Sequence, residues 1–314
     1  MTGRITPRLA LLLMLPPLLW AGNAVVGRLA AGHVPPLALN ALRWAVALVL
    51  LLPIGWRAVA TPRARAEVLR RWRPLAVLGL LGVGAYNALQ YLALTTSTAL
   101  NVTLIVSSTP VWMLAIGALF YRERPTTRAM AGAALSLAGV AVVLTRGDLA
   151  QLAGVRFVPG DLLMLAAALV WAFYSWLLAR PPASIAPGAR PDWDWAGFLL
   201  VQVMFGVLWA AAAAGIEWAV APAAIRWSPW VVLALVYVAV GPSLIAYRCW
   251  GLGVAAVGPA TAGLFGNLTP LFAAVLSAAV IGEPPRPFHA AAFALIVAGI
   301  LVSTGRPRAA APKA

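Results

Sequence analysis

The chain is built from ten apolar segments, each about as long as a helix that crosses a membrane. A hydrocarbon core about 30 Å thick needs roughly 20 apolar residues per helical span. The segments that meet this length are 9–30, 35–55, 74–94, 98–120, 128–145, 161–179, 196–216, 229–249, 258–281 and 288–304. With 63% hydrophobic and 10% charged residues, the 314-residue chain leaves no stretch for a soluble domain. We therefore predict an all-α integral membrane protein with ten transmembrane helices.

The positive charges are concentrated on one side of this predicted topology. The net charge is +15. If the N-terminus lies in the cytoplasm, most Lys and Arg residues are cytoplasmic, and the opposite side holds Arg28, Arg146, Arg156, Arg226 and Arg286. This asymmetry follows the positive-inside rule, so we expect a multi-pass protein of the inner (cytoplasmic) membrane with both termini in the cytoplasm. We interpret the basic residues first as signals that set the topology and second as contacts to anionic lipids of the bilayer, and we expect no nucleic-acid partner.

One phrase of the sequence is written twice, at an offset of 160 residues. In "STPVWMLAIGALFYRERP", Glu123 follows Thr109 by 14 residues, and in "LTPLFAAVLSAAVIGEPP", Glu283 follows Thr269 at the same spacing. The offset indicates that one set of five helices occurs twice. Residues 1–145 form the first predicted repeat, 146–159 a linker, and 160–314 the second repeat with a short basic tail.

An odd number of spans per repeat has a consequence for topology. The second copy must enter the membrane from the side opposite to the first, which gives two inverted five-helix repeats around a central cavity. This arrangement is common in secondary transporters, whose halves open the cavity to one side and then to the other. The sequence therefore predicts alternating access.

Several strings resemble the drug/metabolite transporter superfamily, in particular its ten-helix EamA-type exporters. They are "YLALTTSTALNVTLIVSSTPVWMLAIGALFYRERPTTRAMAGAALSLAGVAVV", "LLWAGNAVVGR" and "GDLLMLAAALVWAFYSWLLAR", together with the second copy of the Thr-Pro phrase. The resemblance implies an inner-membrane carrier that exports amino acids or related small metabolites. It also implies a cavity lined by both halves and peripheral fifth and tenth helices, which the pairs Ala138-Gly139 and Ala298-Gly299 would allow to approach closely.

Polar and aromatic side chains within the spans are the candidates for a substrate cavity. Amides there either join helices by hydrogen bonds or hold polar atoms of a substrate, and aromatic rings either pack or stack on a substrate side chain. Both interpretations remain open at this point. The candidates are Trp20, Asn23, Arg43, Tyr86, Gln90, Trp112, Trp171, Tyr174, Ser243, Tyr247 and Asn267.

Arg43 is the most exceptional charge, because it lies well inside the second span. A mid-membrane arginine costs about 2.5 to 3.5 kcal/mol on insertion scales and usually faces the protein interior. It could bind a substrate carboxylate or a structural partner. Arg248, placed at the end of the predicted eighth span, is explained by snorkelling to the interface.

The repeated Thr-Pro phrase suggests a structural role for its proline and glutamate. We interpret Pro110, Glu123, Pro270 and Glu283 as hinge or helix-cap residues. A carboxylate is disfavoured at a helix C-terminus by the helix dipole, so each glutamate is expected to turn to the N-terminus of the following helix.

Other function classes lack the residues that they need. A membrane enzyme would need clustered His, Asp, Glu or Cys, whereas this chain has two distant histidines, eight scattered acids and one cysteine. We expect no metal, no cofactor and no use of ATP, since no phosphate-binding loop is present. No acid falls in the middle of a span, which disfavours a proton carrier and keeps uniport open.

These observations predict a secondary transporter that acts as a monomer and exports amino acids, with aromatic or large apolar ones as candidates, or related small metabolites. The alternative is a proton-coupled efflux carrier for drugs or toxic compounds.

Overall fold

The computed structural model describes residues 5–30, 32–281 and 286–304. Within them, nine helices are long and apolar enough to cross a membrane. The helix Pro7–Ala30 precedes these nine and has 24 residues, so at 1.5 Å per residue it is about 36 Å long and also spans a bilayer. Together they give the ten predicted spans.

The helices follow the predicted segments closely. In chain order the spans are Pro7–Ala30, Pro36–Ala58, Trp72–Thr96, Ala99–Ser107 with Thr109–Phe120, Thr127–Leu144, Pro159–Ala179, Trp195–Val220, Pro229–Val257, Pro259–Gly266 with Thr269–Ile281, and Pro287–Thr304. Shorter helices in the connections are Pro62–Arg70, Leu149–Gly154 and Ala183–Ile185. The eighth span continues to Val257, well beyond the predicted end at 249, because Arg248 interrupts the apolar run without interrupting the helix.

Contacts between connections define the two membrane faces. We call one the basic face, formed by the connections 59–71, 121–126 and 180–194. There Arg71 donates to the backbone oxygens of Ser184 and Ala189 at 2.7 and 2.9 Å. Arg71 also forms an ion pair with Glu67, and its hydrogen bond lowers the pKa of the Glu67 carboxyl. At the opposite face, the Arg226 backbone N–H donates to the His33 oxygen at 2.8 Å.

Glu123 does not cap the following helix, which corrects the interpretation made from the sequence. The fifth span is capped by Thr126, whose Oγ1 accepts from the Ala129 N–H at 3.1 Å. Glu123 instead forms an ion pair with Arg180, at the basic-face end of the sixth span. Both side chains are about half exposed, so the pair contributes at most about 1 kcal/mol. Glu283 lies outside the described residues.

The two repeats are interleaved rather than placed side by side. The first span packs on the eighth and ninth spans, and its counterpart, the sixth span, packs on the third and fourth. The second span packs along the seventh, and the fifth along the tenth. Each contact thus has an equivalent under exchange of the repeats, as an inverted pseudo-two-fold fold requires.

Four spans are irregular, at equivalent places in the two repeats. The third and eighth contain π-helical turns, Leu80–Ala85 and Ala239–Ile245. The fourth and ninth are broken before their Thr-Pro pairs, so that Pro110 and Pro270 occupy the second position of a new helix, where proline costs no hydrogen bond. The Thr269 hydroxyl donates to the Gly266 oxygen at 2.7 Å across the second break, and Thr109 does the same to Val106 across the first. A hinge role for the two prolines stays a prediction.

Glycines bring the fifth and tenth spans into close contact. A Cβ on Gly299 would lie 2.6 Å from the Gly132 oxygen and 2.9 Å from the Ser136 nitrogen. A Cβ on Gly139 would lie 2.8 Å from the Ala292 oxygen. Without side chains at these positions the two backbones approach closely, as small residues allow in membranes.

We expect Gly299→Ala to destabilise the protein by about 1 to 3 kcal/mol, because the added methyl group must push the fifth span away. Gly251→Ala is the control, since nothing lies within 4 Å of a Cβ there and alanine favours a helix by about 1 kcal/mol over glycine. Thermal unfolding of the detergent-purified variants measures the difference. Equal melting temperatures for the two variants would contradict the close packing of these spans.

Candidate functional site

A cluster of aromatic rings lies where the first, second, third, sixth and eighth spans meet. We call it the central aromatic cluster, and it consists of Trp20, Trp44, Tyr86, Trp171, Tyr174, Tyr247 and Trp250. Trp171 is its centre: its ring centroid lies 4.9 to 5.4 Å from those of Trp20, Tyr86, Tyr174, Tyr247 and Trp250. The cluster combines rings from both repeats, as expected for a cavity between two halves.

Most polar atoms of the cluster donate hydrogen bonds to residues that surround it. The Trp250 indole N–H donates to the Ser175 hydroxyl at 3.1 Å, and the Tyr174 hydroxyl to the Gln202 side-chain oxygen at 3.3 Å. The indole N–H of Trp44 is an exception, because it is buried and has no hydrogen-bond partner. An unpaired buried donor costs about 1 to 3 kcal/mol.

Beside the cluster, Arg43 gathers oxygen atoms from three other spans. Its Nε and Nη2 donate to the Ser243 hydroxyl at 3.0 and 2.7 Å. Its Nη1 donates to Asn87 Oδ1 at 3.0 Å, to the Tyr91 hydroxyl at 2.9 Å and to Asn23 Oδ1 at 3.3 Å. The guanidinium thereby ties the second span to the first, third and eighth. We refer to these five side chains as the Arg43 network.

The charge of Arg43 is not compensated by any described carboxylate. The residue is 1% exposed, and the ion pairs in the described part of the chain involve only Glu67 and Glu123, at the basic face. Its partners are neutral hydroxyl and amide oxygens. A buried cation with neutral partners alone is costly, and an ionisable residue inside a membrane is by default a functional-site candidate.

The π-helical turn of the third span is satisfied by side chains from other spans. Asn40 Nδ2 donates to the oxygens of Val83 and Gly84 at 3.1 and 3.4 Å. The Tyr247 hydroxyl donates to the Gly82 oxygen. Irregular backbone is tolerated at membrane depth only where it is buried in protein or lines a cavity. The π turn of the third span is therefore stabilised in part by the central aromatic cluster, through the Tyr247 hydroxyl.

The eighth span shows the same arrangement. Its π turn contains Pro242, whose carbonyl oxygen accepts from the Trp20 indole N–H at 3.2 Å. The Ser243 hydroxyl donates to the Val238 oxygen at 2.7 Å while it accepts from Arg43. Trp20, Ser243 and Tyr247, which the sequence suggests as substrate-binding residues, thus also donate hydrogen bonds to backbone oxygens in or beside the two π turns.

Tyr86 and Gln90 lie one helical turn apart on the third span, and each is only partly buried. Neither side chain forms a hydrogen bond to another described residue. Trp112, also partly buried, donates its indole N–H to the Ser108 hydroxyl at 2.9 Å. The Tyr86 hydroxyl and the Gln90 amide thus have no hydrogen-bond partner among the described residues.

Asn267, like Gln90 and Trp112, is a predicted site residue that belongs neither to the central aromatic cluster nor to the Arg43 network. Its Nδ2 donates to the Ser136 hydroxyl on the fifth span at 2.9 Å, and both side chains are buried. The amide thus joins the ninth span to the peripheral helix pair, which supports the interhelical interpretation for this residue.

Near the opposite face, a buried carboxylate has a structural role. Asp161 at the start of the sixth span accepts from the Asn101 amide at 2.8 Å and from the Val158 N–H at 2.9 Å. It also accepts from the Ser97 hydroxyl. Asp161 therefore holds the start of the sixth span against the third and fourth.

Five residues of the site are absent from the sequence-based set: Asn40, Trp44, Asn87, Tyr91 and Trp250. Trp44 follows Arg43, and Tyr91 lies one turn after Asn87, so proximity to polar residues within a helix was a usable signal. Asn40 and Trp250 carried no such signal, because their roles depend on distant spans.

Inverted repeats around a polar and aromatic interior are typical of secondary transporters. The chain belongs to the EamA-like transporter family, whose sequence profile matches residues 8–145 and 158–305. This confirms the predicted ten-helix, two-repeat fold and shows a multi-pass membrane transporter of the exporter type rather than an enzyme.

Individual relatives cover nearly the whole chain. A protein of Archaeoglobus fulgidus named an uncharacterized transporter is 26% identical over 298 residues, 94% of this chain and 97% of its own length. The aromatic amino acid exporter YddG of Ancylobacter novellus is 28% identical over 297 residues, 91% of this chain and 93% of its own. A solved crystal structure aligns with a TM-score of 0.74 and 26% identity, over 95% of this chain and 97% of the other.

We expect Ser243→Ala to destabilise the protein more than Tyr91→Phe. Ser243 accepts from two nitrogens of Arg43, and Tyr91 accepts from one, so the alanine leaves more of a buried charge without partners. The cost of an unsatisfied buried group is about 1 to 3 kcal/mol, and more for a charged one. Thermal unfolding in detergent measures both variants. The reverse order would show that Ser243 is not the principal partner of Arg43.

Proposed function

We propose that this transporter exports amino acids with aromatic or large apolar side chains by alternating access across the inner membrane. The observation that carries the proposal is the buried guanidinium of Arg43, with neutral partners only, directly beside the central aromatic cluster. A cation next to aromatic rings matches a small molecule that has a carboxylate at one end and an apolar group at the other.

Arg43 supplies the recognition of the carboxylate in this proposal. A carboxylate adds a charge–charge attraction that a neutral oxygen lacks, and it can bind a guanidinium through two parallel hydrogen bonds. When the cavity opens, the substrate carboxylate replaces neutral acceptors such as Asn23 or Ser243. The structure has Arg43 at 1% exposure, so it corresponds to a closed arrangement around the guanidinium.

The aromatic cluster supplies the recognition of the side chain. Trp171 has five aromatic neighbours, and a flat substrate side chain could take the place of one of them at a similar distance. Tyr86, Gln90 and the Trp44 indole N–H are polar groups without a described partner, and they can bind the polar end of the same molecule. The name of the relative from Ancylobacter novellus, an aromatic amino acid exporter, agrees with this substrate class.

Alternating access follows from two exchangeable halves, residues 1–145 and 160–314, which the linker 146–159 joins. The basic face would be cytoplasmic, with both termini there, because its connections carry most of the positive charge. The sequence has no acid in the middle of a span, so we propose uniport. We also propose that the protein acts as a monomer.

The transport test uses the purified protein in liposomes with a panel of radiolabelled amino acids. We expect phenylalanine, tryptophan or leucine to be transported, and 2-phenylethylamine, which lacks the carboxylate, not to be. Transport of that amine, or of a lipophilic cation in place of every amino acid, would overturn the proposal. Concentrative transport driven by an imposed pH gradient would overturn the uniport part alone.

The variants Tyr86→Phe and Gln90→Ala test the cavity assignment without disturbing described hydrogen bonds. We expect each to raise KM about two- to tenfold, the effect of losing one hydrogen bond of about 0.5 to 1.5 kcal/mol. Arg43→Met should abolish transport of the amino acid. Asn267→Ala is the control: its amide donates to Ser136 on the fifth span, outside the cluster, so it should lower the melting temperature and leave KM unchanged. Unchanged KM in both Tyr86→Phe and Gln90→Ala would contradict the assignment.

A further inference from the structure

A groove of about 330 Å³ lies on the outer surface of the helix bundle, away from the central aromatic cluster. Leucine and isoleucine side chains of the first and eighth spans line it, among them Leu12, Leu244, Ile245 and Leu252. Ile245 and Leu252 are 42% and 47% exposed. The groove therefore opens to the hydrocarbon of the membrane.

Arg248 and Trp195 form one end of this groove. Trp195 is the first residue of the seventh span, so its ring lies at the basic face, at the depth where tryptophans of membrane proteins concentrate. The Arg248 guanidinium carbon is 4.2 Å from the centroid of that ring. The α carbon of Arg248 lies deeper, because the helix continues to Val257. Its side chain thus reaches up along the groove and holds its charge at the level of the lipid headgroups.

The charge at this place has no described acidic partner. Arg248 is exposed, and the ion pairs among the described residues involve other arginines. The nearby Asp194 accepts from the Gly197 N–H at 2.7 Å and caps the seventh span. A second guanidinium, that of Arg190, lies 4.3 Å from the Phe198 ring in the first turn of the same span. The start of the seventh span thus holds two guanidinium groups, next to the exposed carboxylates of Asp192 and Asp194, and neither carboxylate forms an ion pair with Arg248 among the described residues.

We propose that this groove is a binding site for one anionic phospholipid. The phosphate of the headgroup binds the Arg248 guanidinium, and one acyl chain lies against Leu12, Ile245 and Leu252. Charge complementarity selects this occupant: a zwitterionic lipid offers the same acyl chains but no net charge, and a partner protein would need to present an acidic group inside the membrane boundary. The site is separate from the transport path and does not rest on the proposed substrate.

The first measurement is native mass spectrometry of the purified protein with phosphatidylglycerol or phosphatidylcholine of identical acyl chains. We expect the wild type to retain one phosphatidylglycerol in preference to phosphatidylcholine, and Arg248→Gln to weaken that binding about fivefold, the effect of one arginine near a headgroup. Arg65→Gln is the matched control, because it removes an exposed charge at the same basic face, outside the groove. Equal retention of both lipids by the wild type, or equal losses in the two variants, would overturn the proposal.

The second measurement needs no substitution. Cys249 is the single cysteine of the chain and lines the groove, so a maleimide labels this one place. We expect phosphatidylglycerol to slow the labelling of Cys249 and phosphatidylcholine to slow it much less. Equal protection by the two lipids would contradict a site selected by charge, whatever the folding of the Arg248 variant.

Discussion

A single buried guanidinium and the oxygens that satisfy it organise the interior of this protein. Arg43 is far from water, so its N–H groups must find partners in other spans, and they do so in the first, third and eighth. One partner, Ser243, is itself part of a π-helical turn whose backbone needs other side chains to satisfy it. Trp20 caps that turn, and Tyr247 caps the equivalent turn of the third span. The polar network and the aromatic cluster are therefore held in place by the same groups.

The irregular segments of the first repeat have counterparts at equivalent positions of the second. Each repeat has one π turn and one break before a Thr-Pro pair, at equivalent positions within its spans. A regular helix satisfies its own backbone, whereas these segments depend on hydroxyl, amide and indole groups, several of which come from other spans. The fold thus places its most context-dependent backbone beside the Arg43 network, where a change in packing between the halves alters the hydrogen bonding at once.

The sequence predicts the spans well, because a helix in lipid must be apolar over a fixed length. It predicts the eighth span too short, since Arg248 looks like an end, although an arginine side chain can reach the interface from within a helix. Among the site residues, the structure unites Arg43, Asn23 and Ser243 in one network and the rings around Trp171 in one cluster. Asn267 and Glu123 have other partners, Ser136 and Arg180. Which span meets which is decided by packing across more than a hundred residues, and no local pattern records it.

The interleaving of the repeats has a consequence for the order of synthesis. The first span leaves the ribosome early, but the eighth and ninth spans on which it packs are made late. Trp20 therefore lacks its contacts with Pro242, Trp171 and Trp250 until most of the chain has been inserted in the bilayer. The first repeat cannot complete its own packing during translation, so the protein acquires its final interior only when the second repeat has arrived.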